Sequence, residues 1–148
     1  MDNMEKKIRV GLLGIGGRAR HFADLVRQYP KTELAAVCDI SEEAMARSVE
    51  EKNLHDIPQY TDYMTMLNEE SLDVVFVCTP IEYHCEHTIM ALEKGVHVVG
   101  EVPVAFNIEQ ANRWFRQLEN QKPNTSSGRI CVLQSMSLLS GKWYWKVS

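Results

Sequence analysis

Residues 10–22 read VGLLGIGGRARHF, and this stretch points to the architecture of the whole 148-residue chain. Residues 14–19, GIGGRA, form a GxGxxA pattern between an apolar run and a helical pattern. In such a turn the first glycine permits a tight bend, the second lets the backbone approach a pyrophosphate, and a small third residue lets helix and strand pack closely. Because a helix follows directly, its free N–H groups would face an anion.

A carboxylate after the second apolar run strengthens this interpretation. Asp39 follows the run at residues 34–38, near the offset expected for the acidic residue that binds a ribose 2′-hydroxyl. An acidic side chain there repels a 2′-phosphate, so NAD is expected rather than NADP. Two alternatives stay open: Asp39 lies before the helix cap Ser41 for structural reasons only, or the site binds S-adenosylmethionine in a methyltransferase, which uses a similar turn.

Short apolar runs alternate with helical patterns along the chain. Strands are expected at residues 7–13, 34–38, 73–78, 96–99 and 129–133, with a loop or short strand at 55–60. Helices are expected at 19–29, after Ser41, after a cap at Thr61, at 83–94 before Gly95, and after Asn107, where Gln110 completes a capping box. This order predicts an α/β fold with a doubly wound parallel sheet covered on both faces.

Composition excludes several classes of function. The formal net charge is −4 and the basic residues form no stripe, so nucleic acid is not an expected partner. We find no apolar run that would span a membrane and no signal-peptide pattern at the start, so a cytoplasmic location is expected.

The cysteines show no metal-binding or disulfide spacing, and we expect reduced, mostly buried thiols at Cys38, Cys78, Cys85 and Cys131. His84, Cys85 and His87 are metal-ligand types, but they fit the start of a helix equally well and no metal site is predicted.

The later strand ends carry a family resemblance. The segments AAVCDIS and VVFVCTPIEYHCEHTIMALEKGVHVVGEVP, together with VGLLGIGGRA, resemble the Gfo/Idh/MocA-type oxidoreductases over about residues 6–120. The resemblance implies an N-terminal Rossmann domain that binds a nicotinamide dinucleotide, followed by a C-terminal α/β domain for a sugar or polyol. It places the nicotinamide half of the cofactor beside Thr79, Pro80, His84, Glu101 and Val102. With the glycine turn and Asp39, the predicted cofactor-binding residues are Gly14, Ile15, Gly16, Gly17, Arg18, Ala19, Asp39, Thr79, Pro80, His84, Glu101 and Val102.

One position departs from the family pattern. Most of its dehydrogenases read EKP where this chain reads EVP, and Val102 can neither donate nor accept the proton that the lysine moves. No catalytic residue is therefore predicted. The main hypothesis is an NAD-binding portion of a sugar-active oxidoreductase, truncated and inactive alone. The alternatives are a fragment of an NAD-dependent glycoside hydrolase, whose relatives also read EVP, and a non-catalytic NAD-binding or scaffolding module.

The end of the chain does not follow the family. We divide the sequence into a dinucleotide-binding domain at residues 1–123 and an atypical tail at 124–148, in which a loop at 124–128 precedes the expected last strand. Trp143, Tyr144 and Trp145 crowd its last six residues. A shift of reading frame near Asn124 is one hypothesis; a short natural domain with an aromatic tail is the other. An incomplete apolar cover would favour association, so a homo-oligomer is a further expectation.

Overall fold

The computed structural model describes residues 6–120 and 130–133. Strands and helices alternate throughout this part of the chain. Their order is β1 (Ile8–Leu13), α1 (Ala19–Gln28), β2 (Thr32–Cys38), α2 (Glu42–Lys52), β3 (Gln59–Tyr60), α3 (Tyr63–Glu69), β4 (Val74–Val77), α4 (Ile81–Glu93), β5 (His97–Glu101), α5 (Ile108–Asn120) and β6 (Ile130–Leu133).

The strands form one parallel sheet in the order β3-β2-β1-β4-β5-β6. β1 lies at the centre, paired with β2 on one side and β4 on the other. From β1 the chain extends the sheet on one side through β2 and β3. It then returns to β4, beside β1, and extends the sheet on the other side through β5 and β6. This confirms the predicted doubly wound fold, including the last strand, which pairs with β5. The division at residue 123 and the aromatic tail lie outside the described residues.

Two apolar cores cover the two faces of the sheet. On one face α1 and α2 pack on β1 and β2 around Leu12, Ala23 and Val49. On the other face α3 and α4 pack on β1, β4 and β5 around Met66 and Val75. Continuous apolar runs such as residues 34–38 are buried because helices cover both sides of them.

Two helix starts differ from the sequence prediction. The cap of α3 is Asp62 and not Thr61, because the Asp62 carboxylate accepts the backbone N–H of Thr65 at 2.7 Å. Helix α4 begins at Ile81, two residues before the predicted start, with Pro80 at its N-cap. The fixed φ of proline is compatible with this position, so the helix extends to the end of β4. Gly95 follows α4 with a φ of +75°, as predicted.

An apolar groove of about 1010 Å³ remains open on the α1 face, where no described helix covers β4 and β5. Its wall is formed by apolar side chains of α1, of the residue after it and of the two strands, among them Phe22, Leu25, Tyr29, Val74, Phe76 and Val99. The groove is exposed apolar surface of the kind that the expected self-association requires, and that expectation stays a prediction.

The turn after β1 lies directly against the end of β4. Gly14 has a φ of +86°, and a Cβ on this residue would be 2.6 Å from the carbonyl oxygen of Cys78. That distance is shorter than any tolerable contact between these atoms. Glycine is therefore required both for the backbone conformation and for the approach of the two strands.

We expect Gly14→Ala to lower the free energy of unfolding by more than about 2 kcal/mol, since it adds left-handed strain to a backbone clash. Urea unfolding followed by circular dichroism measures the change. Gly17→Ala is the matched control from the same turn, because a Cβ there meets nothing within 4 Å. Equal stability of the two variants would contradict the close approach at Gly14.

His87 of α4 lies half-buried among aromatic and hydroxyl groups. Its Nδ1 is 3.0 Å from Thr79 Oγ1, and its ring stacks on Tyr83 and meets the edge of Tyr63. Burial lowers the pKa of His87 below its ordinary value of 6.5, because the charged ring loses solvation. The folded protein thus favours the neutral imidazole.

The unfolded chain binds a proton at His87 more readily than the folded one, so the stability from this residue is lost as the pH falls below about 6.5. We expect His87→Gln to flatten the dependence of unfolding free energy on pH between about 5 and 7. Urea unfolding at several pH values tests this, with the exposed His21→Gln as control. An unchanged slope in His87→Gln would refute the prediction.

Candidate functional site

The predicted site residues meet at one edge of the sheet. All strands are parallel, so the turns after β1, β2, β4 and β5 leave from the same, carboxyl edge. These turns carry the glycine pattern, Asp39, Thr79 with Pro80, and Glu101 with Val102. The winding direction reverses between β1 and β4, and ligands of open α/β sheets bind in the crevice at such a point.

Asp39 connects the turn after β1 to the turn after β2. Its Oδ2 accepts the backbone N–H of Gly16 at 2.9 Å, and its Oδ1 accepts that of Ser41 at 2.9 Å. The carboxylate is half-buried and held from both sides. Asp39 thus has the structural role before the helix cap Ser41 that the sequence suggested. The same hydrogen bonds fix its carboxylate beside the glycine turn.

The other residues of the turn are positioned by packing. The side chains of Ile15 and Ala19 are fully buried, and the buried Ser48 hydroxyl donates to the carbonyl oxygen of Ile15 at 3.0 Å. A Cβ on Gly16 would lie 2.8 Å from Ala44 Cβ, whereas Gly17 faces open space. Gly16 and Gly17 are nevertheless exposed to solvent, whereas Ile15 and Ala19 are buried.

The start of α1 differs from the start of α2. Ser41 caps α2 through a side-chain acceptor, and two glutamates lie in its first turn. Arg18 at the N-cap of α1 offers no such acceptor, and the first turn of α1 has no acidic residue. The positive end of α1 thus has neither a side-chain cap nor an acidic side chain in its own first turn.

His84 joins the ends of β4 and β5. One ring nitrogen lies 2.5 Å from the carbonyl oxygen of Thr79 and the other 3.0 Å from that of Pro103. The ring is buried, and both nitrogens face backbone acceptors. In this structure His84 positions the two turns, and a direct contact with a cofactor stays a prediction.

Arg18 and Glu101 form an ion pair above the end of β4, with Nε 3.1 Å from Oε1. Burial raises the pKa of Cys78, which lies at the end of β4, to about 12; Glu101 raises it further and Arg18 opposes the shift. The thiol is therefore protonated at neutral pH and is no nucleophile. Val102 is 43% exposed and adds an apolar surface beside the pair.

Within residues 6–120 and 130–133, no three His, Cys, Asp or Glu side chains lie close enough together to hold a metal ion. A ring nitrogen of His84 instead lies beside the carbonyl oxygen of Pro103, and a ring nitrogen of His87 lies beside the hydroxyl of Thr79. Cys38, Cys78 and Cys85 are free thiols, as expected. Among the helices in that same part of the chain, none has the length and apolar character needed to cross a membrane.

Two features were missed by the sequence analysis. Ile40 is 91% exposed directly after Asp39, an unusual place for a large apolar side chain. The signal for Ile40 in the sequence is its position directly after the predicted site residue Asp39. The Arg18–Glu101 pair had no such signal, because 83 positions separate its members and only the sheet order brings them together.

Comparison with known proteins agrees with this geometry. Residues 8–128 match the model of the family described as "Oxidoreductase family, NAD-binding Rossmann fold". A "Glycosyl hydrolase family 109 protein" of Shewanella pealeana is 31% identical over 114 residues, which cover 70% of this chain and 24% of that protein. An alpha-N-acetylgalactosaminidase of Shewanella oneidensis is 32% identical over 124 residues, covering 79% and 27%.

A solved structure shows the same fold. The WlbA dehydrogenase from Bordetella pertussis, in complex with NADH and UDP-GlcNAcA, has a TM-score of 0.74 and 25% identity, covering 86% of this chain and 37% of that one. The chain spans about a quarter of the length of the curated relatives named above. By its sequence and its fold, the chain belongs to the Gfo/Idh/MocA oxidoreductase family and corresponds to its NAD-binding Rossmann domain.

Proposed function

We propose that this chain binds NAD at the carboxyl edge of its sheet, as the cofactor-binding portion of an oxidoreductase acting on a sugar or polyol. The observation that carries the proposal is the uncapped start of α1 beside Gly16, held against the carboxylate of Asp39. The helix end and the turn would hold the pyrophosphate, and Asp39 would accept from a ribose hydroxyl.

The preference for NAD over NADP rests on two neighbouring side chains. Asp39 would repel a 2′-phosphate. The exposed side chain of Ile40 provides no cation to compensate that charge, whereas NADP sites commonly place an arginine nearby.

The residues of the nicotinamide half also fit a bound dinucleotide. Glu101 Oε1 is buried, and Arg18 Nε lies 3.1 Å from it in an ion pair without hydrogen-bond geometry. Because this oxygen accepts no hydrogen bond from any described residue, it keeps a lone pair for a ligand donor. Thr79, Pro80 and Val102 lie at the same edge, beside the turns that His84 fixes. The proposed cofactor site therefore comprises all twelve residues: Gly14, Ile15, Gly16, Gly17, Arg18, Ala19, Asp39, Thr79, Pro80, His84, Glu101 and Val102.

The bound nicotinamide supplies hydride transfer, as in the family. The protein residues would orient it and would exclude water beside Val102, which moves no proton. We propose that the proton acceptor and the sugar contacts come from a portion of a longer protein, since the relatives extend well beyond this chain. The chain by itself is then expected to bind NAD without turnover.

A fragment of an NAD-dependent glycoside hydrolase is the second candidate. It is favoured by Val102 in place of the lysine and by the names of the Shewanella relatives. Sequencing the DNA downstream of Ser148 and expressing any longer product would separate the two. Hydrolysis of an α-N-acetylgalactosaminide without net NADH production would favour the hydrolase, and NADH production from a polyol the oxidoreductase.

Titration of the chain with NADH, followed by nucleotide fluorescence, tests the cofactor site. We expect Asp39→Ala to weaken NADH binding by about 1 to 3 kcal/mol, because hydrogen bonds to a charged acceptor are lost. Affinity for NADPH is expected to fall less or to rise, since the repelling charge is gone.

Ser41→Ala is the control, because it removes the cap of α2 but keeps the carboxylate. NADH binding that is absent, or the same in Asp39→Ala and the parent chain, would refute the assignment.

A further inference from the structure

Arg18 and Glu101 face each other across the crevice of the sheet. Arg18 follows the turn after β1, Glu101 ends β5, and the end of β4 lies between them in the sheet. The influence of both charges on Cys78, at the end of β4, agrees with this arrangement. The ion pair therefore spans the place where the proposed dinucleotide would pass from β1 toward β5.

The two partners have unequal freedom. The Arg18 side chain is 64% exposed and the Glu101 side chain 18%. The Arg18 side chain is therefore mostly surrounded by solvent, whereas Glu101 Oε1 is buried and has Arg18 Nε at 3.1 Å as an ion-pair partner but no hydrogen bond within the described residues. The pair lacks a hydrogen bond and its arginine is screened by solvent, and a pyrophosphate is a more highly charged competitor for the guanidinium.

We propose that Glu101 and the pyrophosphate compete for Arg18, so that dinucleotide binding transfers the guanidinium from the carboxylate to the phosphates. The inference rests on the proposed NAD site. The transfer leaves the Glu101 carboxylate free for the nicotinamide half. Filling of the pyrophosphate position would thereby prepare the other half of the site for its ligand.

Competition for Arg18 predicts the direction in which ligand affinity changes when Glu101 is neutralised, and a merely structural ion pair does not. Removing the carboxylate frees Arg18 in advance, so a ligand that has a pyrophosphate but no nicotinamide should bind more tightly. Adenosine diphosphate is such a probe. Fluorescence displacement or calorimetry on the parent chain and on Arg18→Gln, Glu101→Gln and the double variant measures the effect.

We expect Glu101→Gln to bind adenosine diphosphate about threefold to fivefold more tightly than the parent chain, the upper part of the range measured for solvent-screened ion pairs. Arg18→Gln should bind it more weakly, and Arg18→Lys should recover part of the loss. In the Arg18→Gln background, Glu101→Gln should have no effect. With NADH the gain from Glu101→Gln should shrink or reverse, because the nicotinamide half then lacks the carboxylate.

Glu51→Gln is the matched control. Glu51 pairs with Arg20 at 2.7 Å on the α1–α2 surface, so the variant makes the same change of net charge outside the crevice. A tighter complex with this variant as well would assign the gain to overall charge and overturn the inference.

Two further outcomes separate the proposals. If adenosine diphosphate binds and Asp39→Ala weakens it, but Glu101→Gln has no effect or the same effect without Arg18, only the competition is refuted. If neither adenosine diphosphate nor NADH binds to the parent chain, the NAD site and the competition fail together.

Discussion

The contact between Gly14 and the carbonyl of Cys78 is the constraint on which the remaining structure depends. It brings the turn after β1 against the end of β4, although about 60 residues separate the two along the chain. Only a residue without Cβ fits there. The contact lies between β1 and β4, where the winding direction reverses and the crevice opens. The other site elements are arranged around it.

The site is built from helix starts that are treated differently. Helix α2 has Ser41 and two glutamates, and α3 has Asp62, so their positive ends are satisfied within the protein. Helix α1 has neither a side-chain cap nor a first-turn acid. The start of α1 therefore stays uncapped. The Asp39 carboxylate lies next to it, fixed by the backbone N–H groups of Gly16 and Ser41.

At the β5 side of the crevice, the negative charge of Glu101 is only partly neutralised by the protein. Glu101 depends on Arg18, which is exposed, while the two ring nitrogens of His84 lie beside backbone carbonyl oxygens. The buried His84 holds the turns after β4 and β5, and the exposed Arg18 neutralises the carboxylate. This combination of fixed backbone and adjustable charge suits a ligand that is anionic at its centre and polar at its end.

The sequence by itself determined the strand and helix order, the parallel sheet, the glycine turn and the family, because short apolar runs, glycine spacing and strand-end motifs are local patterns. It missed Asp62 as the cap of α3, since adjacent Thr61 offers the same kind of acceptor and only backbone geometry distinguishes them. The tertiary structure alone decided that Asp39 binds Gly16, that His84 joins two turns and that Arg18 meets Glu101. Each of these depends on which strand ends become neighbours, and that follows from packing of the whole sheet.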